Sequence, residues 1–325
     1  LTLDYYWERR KDILIQRSSL PSMAGFDASI YANMGEMDNK GVDANLEYQT
    51  RIGNKVGLRL FGNLTYSKNK IVFRDEPAMQ YAYQKSEGTR YGEFYGYIAE
   101  GYFQSEEEIK KSPRQMRELA PGDIKYKDLN DDGVIDANDQ CYLGKSWFPS
   151  WSYGMGFNIN YHNFDLALFF QGVSDVSIMA NGGSIDTGNG DWGASGVGIV
   201  PFTGMGLNPS NVITKALDRW TADNPRADAW YPRMTANATT NDNNYVNSTH
   251  WLKDGSYLRL KQASLGYTLE NKKLMDKGIE YLYFYLSGQN LLTFSKFKLW
   301  DPELGSNGAK YPLSRMVTLG MRVSF

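Results

Sequence analysis

A single cysteine (Cys141) and two histidines (His162 and His250) stand in a chain of 325 residues. One thiol cannot form an internal disulfide, and with so few imidazoles most cysteine or histidine metal centres are excluded. No run approaches the roughly 18 to 20 consecutive apolar residues of a membrane-crossing helix. Strands are not excluded by that lack, because a barrel strand alternates and its average hydropathy is unremarkable. No excess of one charge exists either. There are 35 Lys and Arg against 37 Asp and Glu, a net charge of −2, so nothing in the overall balance points to nucleic acid or an anionic membrane.

Catalytic patterns are equally scarce. His162 falls in a tight turn and His250 beside Trp251, with no motif linking either to a nucleophile. No Gly-rich phosphate loop, zinc pattern or serine elbow occurs. No secretory leader is visible and Leu1 already lies in an alternating run, which leads to the expectation of a fragment or a processed chain.

What is abundant is aromatic: 23 Tyr, 15 Phe and 8 Trp, with 32 Gly. Such a composition suits an outer-membrane barrel with ring belts at both interfaces. It also suits a secreted carbohydrate-binding sandwich.

Periodicity favours strands. From Ser314 to Phe325 the chain alternates without a slip, Val317, Leu319, Met321, Val323 and Phe325 against Met316, Thr318, Gly320, Arg322 and Ser324. Further strands are read at Leu1–Glu8, Val42–Ile52, Val56–Tyr66, Tyr153–Tyr161, Phe164–Phe170, about Tyr257–Leu269 and Leu282–Gln289. The Tyr257 strand changes phase between Leu260 and Ala263, and a bulge near Lys261-Gln262 reconciles the two halves.

Connections alternate in length. Turns at 53–55, 162–163 and about 270–279 are short; segments at about 16–36, 71–150, 174–256 and 293–313 are long. Loops of that length are unusual in a compact soluble domain. Short turns at one end and long loops at the other are an outer-membrane pattern. Parity then puts the short turns and the C-terminus in the periplasm and the long loops, 71–150 and 174–256 foremost, outside the cell. The fold expected is all-β: a transmembrane antiparallel β-barrel portion of about eight strands spanning 1–325. Those strands could also close a small barrel by themselves, of the kind that serves as an adhesin. Abrupt onset at Leu1 and two insertions of roughly 80 residues argue for a larger barrel.

One segment carries ligand chemistry. Asp128, Asn130, Asp132, Asp136 and Asp139 place side-chain oxygens at positions 1, 3, 5, 9 and 12 of a twelve-residue loop, 128–139. Val134 offers its carbonyl at position 7, and Gly133 sits at the sharp turn. This spacing lets one wrapped backbone deliver the six to eight oxygens that a hard cation takes, so Ca²⁺ is the expected cofactor, in a structural role. Asp139 replaces the Glu of an EF-hand, and the flanks read as strand rather than helix. The alternative is a solvated carboxylate-rich turn.

The long loops hold most of the tryptophans: Trp192, Trp220, Trp230, Trp251 and Trp300. Of these, Trp192, Trp230 and Trp251 are the candidates for stacking on a substrate, and packing within the loops or an interfacial belt is the alternative. The Gly-rich stretches Asn181-Gly182-Gly183 and Gly188-Asn189-Gly190-Asp191 read as surface loop. Glu106-Glu107-Glu108 with Lys110-Lys111 reads as a short exposed helix, and about 211–220 as an amphipathic helix ending near the turn at Pro225.

Several stretches together resemble one family. They are Pro121-Gly122-Asp123-Ile124-Lys125-Tyr126-Lys127-Asp128 with the calcium-type loop, Leu252-Lys253-Asp254-Gly255-Ser256-Tyr257-Leu258-Arg259-Leu260-Lys261, Leu265-Gly266-Tyr267, Asn290-Leu291-Leu292-Thr293, Asp301-Pro302-Glu303 and Tyr311-Pro312. In this order they resemble the C-terminal part of the SusC/RagA class of TonB-linked outer-membrane proteins of Bacteroidetes. Thr318, Gly320, Val323 and Phe325 are similar to the polar-x-Gly-x-x-apolar-x-aromatic signal read by the barrel assembly machinery. The resemblance implies a 22-stranded plugged barrel, energised through TonB and covered by a SusD-like surface lipoprotein, that imports glycans or oligopeptides. It also implies that the plug and the TonB-contacting segment lie outside these residues. A secreted, calcium-stabilised β-sandwich that binds polysaccharide is the rival reading. The two differ in whether lipid or a second protein layer meets Leu46, Phe157, Leu168 and Val323.

Overall fold

Eight long strands pair in one antiparallel meander. The computed structural model describes residues 1–19, 30–53, 55–116, 118–181, 213–234, 243–276, 278–306, 308 and 311–325. In chain order the elements are β1 (Thr2–Gln16), β2 (Tyr31–Ile52), β3 (Val56–Phe73), β4 (Glu93–Gly96), β5 (Ala99–Tyr102), α1 (Glu106–Lys111), β6 (Ile124–Tyr126) and β7 (Cys141–Ser146). They continue with β8 (Trp151–Tyr161), β9 (Phe164–Ser174), β10 (Ser177–Met179), β11 (Leu252–Asp254), β12 (Tyr257–Leu269), α2 (Lys272–Met275), β13 (Tyr281–Ser295) and β14 (Met316–Ser324). The large sheet runs β1-β2-β3-β8-β9-β12-β13-β14, and three two-stranded ladders, β4-β7, β5-β6 and β10-β11, stand apart from it. All eight strands read from periodicity are present, and β12 has its irregularity between Leu260 and Gln262 on both sides. The sheet is open among the described residues, with β1 and β14 at its edges.

Register explains the alternation. Tyr48, Leu60, Phe157, Leu168 and Ala263 occupy one row across five strands, and Thr50, Leu58, Ile159, Leu166, Leu265, Leu286 and Leu319 occupy the next but one. Between them run Gln49, Arg59, Asn158, Ala167, Ser264, Ser287 and Thr318. One face is therefore apolar and the other polar, as the period of two requires. Among the described residues the apolar face has no protein partner. Leu46 is 55% exposed and Leu319 is 80% exposed, and neither hydrophobic cluster of the molecule draws on this face.

Rings mark both ends of that face. Ile52, Val56, Tyr161, Phe164, Tyr267 and Phe284 form the row nearest the short turns, and Tyr5, Val42, Tyr66 and Trp151 form the row nearest the long loops. Tyr66 and Trp151 pack at 4.5 Å and Phe164 and Tyr267 at 4.7 Å. Val56 and Tyr66, ten positions apart in β3, stand about 33 Å apart along the strand. A tilt of about 40° brings the height to about 25 Å, the thickness of an outer-membrane apolar band.

Glycines on the polar face admit cross-strand rings. A Cβ on Gly320 would lie 2.3 Å from the Tyr285 ring, and one on Gly266 would lie 2.2 Å from the Tyr283 hydroxyl. Each tyrosine thus reaches across to a glycine on the neighbouring strand, a pairing that restores side-chain contact where a strand lacks a Cβ.

Among the described residues, both clusters of buried hydrophobic side chains lie outside the sheet. Tyr97, Tyr102, Ile124, Tyr126, Ile135, Met179, Trp220, Tyr231 and Trp251 form one cluster drawn from both long loops. No helix among the described residues is long and apolar enough to cross a membrane. The short charged helix is present as α1, where the Ser105 side chain caps the Glu108 N–H. The helix expected over about 211–220 is reduced, among the described residues, to a single tight turn at Thr214–Leu217. Asp218 leaves the helical region, held by ion pairs to Lys215 and Arg226, and Trp220 turns into the loop core.

Candidate functional site

The two long loops are stitched together by buried polar groups. Asp123 is fully buried, and its carboxylate meets the Arg233 guanidinium at 2.6 Å and accepts from the Asn244 side chain at 2.8 Å. The Ile124 N–H donates to Asn244 and the Tyr126 hydroxyl donates to the Asn243 carbonyl. Gly122, at φ +92°, admits the Trp220 ring where a Cβ would sit 2.2 Å from it. So the stretch Pro121–Lys127 is the keystone of the loop layer. A second keystone joins loop to sheet. Arg259, nearly fully buried on β12, reaches Asp301 at 2.6 Å and Glu303 at 3.2 Å. The Tyr257 hydroxyl donates to the second oxygen of Glu303.

Within the loops lies a cavity of about 750 Å³. It is lined by the apolar Ile213, Leu217, Phe297 and Leu299, by Trp230, by four lysines, Lys215, Lys253, Lys296 and Lys298, and by Asp218 and Asp254. The Lys253 ammonium stands 5.3 Å over the Trp230 ring and donates to the His250 carbonyl at 2.6 Å. Burial, and then the neighbouring Lys215, pull its pKa below the usual lysine range. A second cavity of about 560 Å³ shares Lys253 and Asp254 and adds Lys145, Thr249 and Ser256. Both can hold a solute by apolar contact and by hydrogen bonds from amines.

Of the three tryptophans singled out by sequence, Trp230 lines this cavity. Trp251 is fully buried, and its indole N–H donates to the Asn244 carbonyl at 2.7 Å. Its surroundings are Trp230, Tyr231, Tyr245 and His250, so it packs the loop core and presents no face to a substrate. Trp192 and the Gly-rich stretch 182–191 lie outside the described residues. The lysines were not legible as a site, because they are scattered through three separate segments.

His250 is held neutral. Burial, and then Lys253, push its pKa down to about 4. Its Nε2 lies 3.2 Å from the Trp230 carbonyl, which can only accept, so Nε2 carries the proton. The ring is a packing and hydrogen-bonding element.

The loop 128–139 is folded by its own carboxylates. Asp128 accepts from the Gly133 N–H at 2.8 Å, Asn130 from Asp132 at 3.2 Å, and Asp132 from Val134 at 2.8 Å. Asp136 accepts from Asn138 at 2.7 Å, and the buried Asp139 accepts from both Leu129 and Asp136. Asp131 and Gly133 both have φ near the left-handed region, at +58° and +82°. Among the described residues no three acidic, histidine or cysteine side chains converge on a metal-sized point. One oxygen, Asp128 Oδ1, is nevertheless buried with no partner. That orphaned carboxylate oxygen, at the first position of the loop, is the feature that suits a hard cation.

At the end of the chain, Thr318 pairs with Ser287, Gly320 with Tyr285 and Val323 with Leu282. Phe325 lies just beyond β14 and is 84% exposed.

No protein-family profile matches the sequence. Individual relatives do. The chain is 27% identical over 353 residues to the TonB-dependent receptor P3 of Formosa agariphila, covering 100% of itself and 32% of that protein. It is 22% identical over 336 residues to the TonB-dependent receptor SusC of Bacteroides thetaiotaomicron, covering 99% of itself and 30% of that protein. In fold it superimposes on part of the RagAB peptide importer in the open-open state, with a TM-score of 0.70 and 23% identity over 99% of this chain and 32% of that one.

The chain is a distant homologue of the SusC/RagA-type TonB-dependent receptors. It spans about a third of their length, and its eight-stranded sheet matches part of a barrel. This homology is to receptors rather than to enzymes, and it implies an outer-membrane location.

Proposed function

We propose that the chain is the C-terminal barrel portion of an outer-membrane importer that takes up a glycan or an oligopeptide with energy delivered through TonB. The observation that carries this reading is the apolar face of the large sheet, exposed over about 25 Å between two aromatic rows and backed by a polar face. A sandwich would bury that face against a second sheet, and among the described residues none covers it. In this reading the short turns and the C-terminus are periplasmic, and the loop layer is outside the cell.

The loop layer would meet a SusD-like lipoprotein, the partner suggested by likeness to the RagAB importer. The cavity at Trp230 and Lys253 would contact substrate as it passes. Thr318, Gly320, Val323 and Phe325 would present the final strand to the barrel assembly machinery, and a plug contributed from outside this chain would contact TonB. Asp128, Asn130, Asp132, Asp136 and Asp139, with the Val134 carbonyl, would hold a structural Ca²⁺ that stiffens the outer loop. No helix pair flanks the ion for it to open, so signalling is not its role.

The experiment is affinity purification of the full-length protein from detergent-solubilised outer membranes, paired with uptake by a strain lacking it. Copurification of a lipoprotein and loss of growth on one oligomeric nutrient are the expected results. A protein recovered from the soluble fraction, with no uptake defect, would refute the proposal.

A further inference from the structure

Just past the aromatic row at the long-loop end, the apolar face turns basic. Trp7, Lys40 and Lys68 form the next row outward, and Arg9, Asp38 and Lys70 the one after. All six stand on the same face as Tyr5 and Tyr66, since residues an even number apart in a strand share a face. Lys68 lies two positions beyond Tyr66, about 5 Å further along the membrane normal once tilt is allowed for. That is headgroup depth rather than open water.

The protein neutralises only part of this charge. Arg9 takes Asp38 through two hydrogen bonds, at 2.5 and 2.8 Å. Lys40 lies 5.5 Å over the Trp7 ring. Among the described residues, Lys40, Lys68 and Lys70 have no carboxylate within ion-pair distance. With Tyr5, Tyr66, Arg90 and the Arg9-paired Asp38 they line a hollow of about 610 Å³. Arg90 is itself buried and bonded to Asp175, Phe148 and Ser150, yet its Nε is buried with no partner. Three amines, none within ion-pair distance of a carboxylate among the described residues, around one hollow whose single carboxylate is already paired with Arg9 call for an anion with several acceptor oxygens. The net charge of −2 for the whole chain conceals this local excess.

We propose that this hollow is a binding site for the phosphate of a lipid headgroup in the leaflet on the long-loop side. The inference rests on the outer-membrane reading above. Lysine amines would meet the phosphate while Tyr5 and Tyr66 flank the glycerol or sugar above the acyl chains. A soluble anion would gain nothing from those rings or from the apolar face immediately below.

The test uses the full-length protein in phosphatidylcholine vesicles with and without phosphatidic acid, a phosphate-monoester lipid. Lipid retained after extraction into mild detergent is measured by mass spectrometry, with heat-modifiable electrophoresis as the check on insertion. The wild-type protein should retain phosphatidic acid over phosphatidylcholine. The variant Lys40→Gln/Lys68→Gln/Lys70→Gln should insert normally and lose roughly fivefold in that preference per lysine removed. Millimolar inorganic phosphate should not displace the lipid, and displacement would overturn the assignment to a headgroup. Insertion without any lysine-dependent preference overturns this site and leaves the importer reading standing. Failure to enter vesicles at all overturns both.

Discussion

Asp123 and Arg233, 110 residues apart in the chain, form an ion pair at 2.6 Å in which the carboxylate is wholly buried. Through it the loop after β3 and the loop after β9 become one layer. Removing one partner of a buried pair strands the other and costs about 3–5 kcal/mol. Asp123 keeps two other donors, Asn244 and the Ala120 N–H, so Arg233→Met should fall at the lower end and Asp123→Ala at the upper. Hydrogen exchange should quicken in the loop layer at residues such as Ile124 and Tyr126 and remain slow in β8, β9 and β12. Uniform quickening over sheet and loops would contradict the separate loop core.

The loop layer should also weaken in acid through His250. Its folded pKa of about 4 is below the value near 6.5 of a free imidazole. The unfolded chain therefore takes up the proton first as pH falls. Stability from the neutral ring is fully present above pH about 6.5 and is lost progressively down to about 4, by up to roughly 3 kcal/mol in all. The window from pH 6.5 to 5 precedes most carboxylate titration. There, His250→Gln should flatten the pH dependence of proteolytic resistance in the loops. An unchanged slope would place the titration elsewhere.

Much of the fold was legible because a bilayer-facing sheet writes itself into sequence as alternation. The bulge in β12 was visible as a phase change between Leu260 and Ala263. Where both faces of a strand carry polar side chains the signal fades. Residues 31–41 of β2 carry Met34, Asp38 and Lys40 on one face and Asn33, Met37 and Asn39 on the other, so alternation first becomes legible near Val42 although the strand starts at Tyr31. The loop core left no period at all. Its contacts join residues more than 100 apart, as between Ile124 and Asn244, and its walls are Tyr, Trp, Asn and Asp, which in isolation read as exposed loop. That is why sequence leaves stacking on a substrate and packing in the loops as alternatives for Trp251, which the fold places in the core.

For the calcium-type loop, the orphaned Asp128 oxygen sets the expectation. Chelation should increase proteolysis between about 100 and 150 while sparing the strands, and Asp128→Ala with Asp132→Ala should reproduce the effect. Protection by added Ca²⁺ that persists in the double variant would refute the ligand assignment.

Gly320 bears on assembly as well as on contact. A Cβ there meets the Tyr285 ring at 2.3 Å, so Gly320→Val should lower the yield of folded barrel severalfold. Combining it with Tyr285→Ala, which clears the space, should restore part of that yield. No rescue would mean that Gly320 acts as a recognition element of the final strand and not through the ring it accommodates.

The central claim is that lipid covers one face of the large sheet. Single nitroxide labels in a Cys141→Ala background of the full-length protein, reconstituted in bilayers, test it most directly. Labels at Leu46, Phe157, Leu168 and Val323 should be relaxed mainly by oxygen, which concentrates in lipid. Labels at Glu47, Asn158 and Ser264 should be relaxed mainly by a water-soluble nickel chelate. Equal nickel accessibility at the two sets, or immobilised labels shielded from both reagents at the first four, would contradict the account.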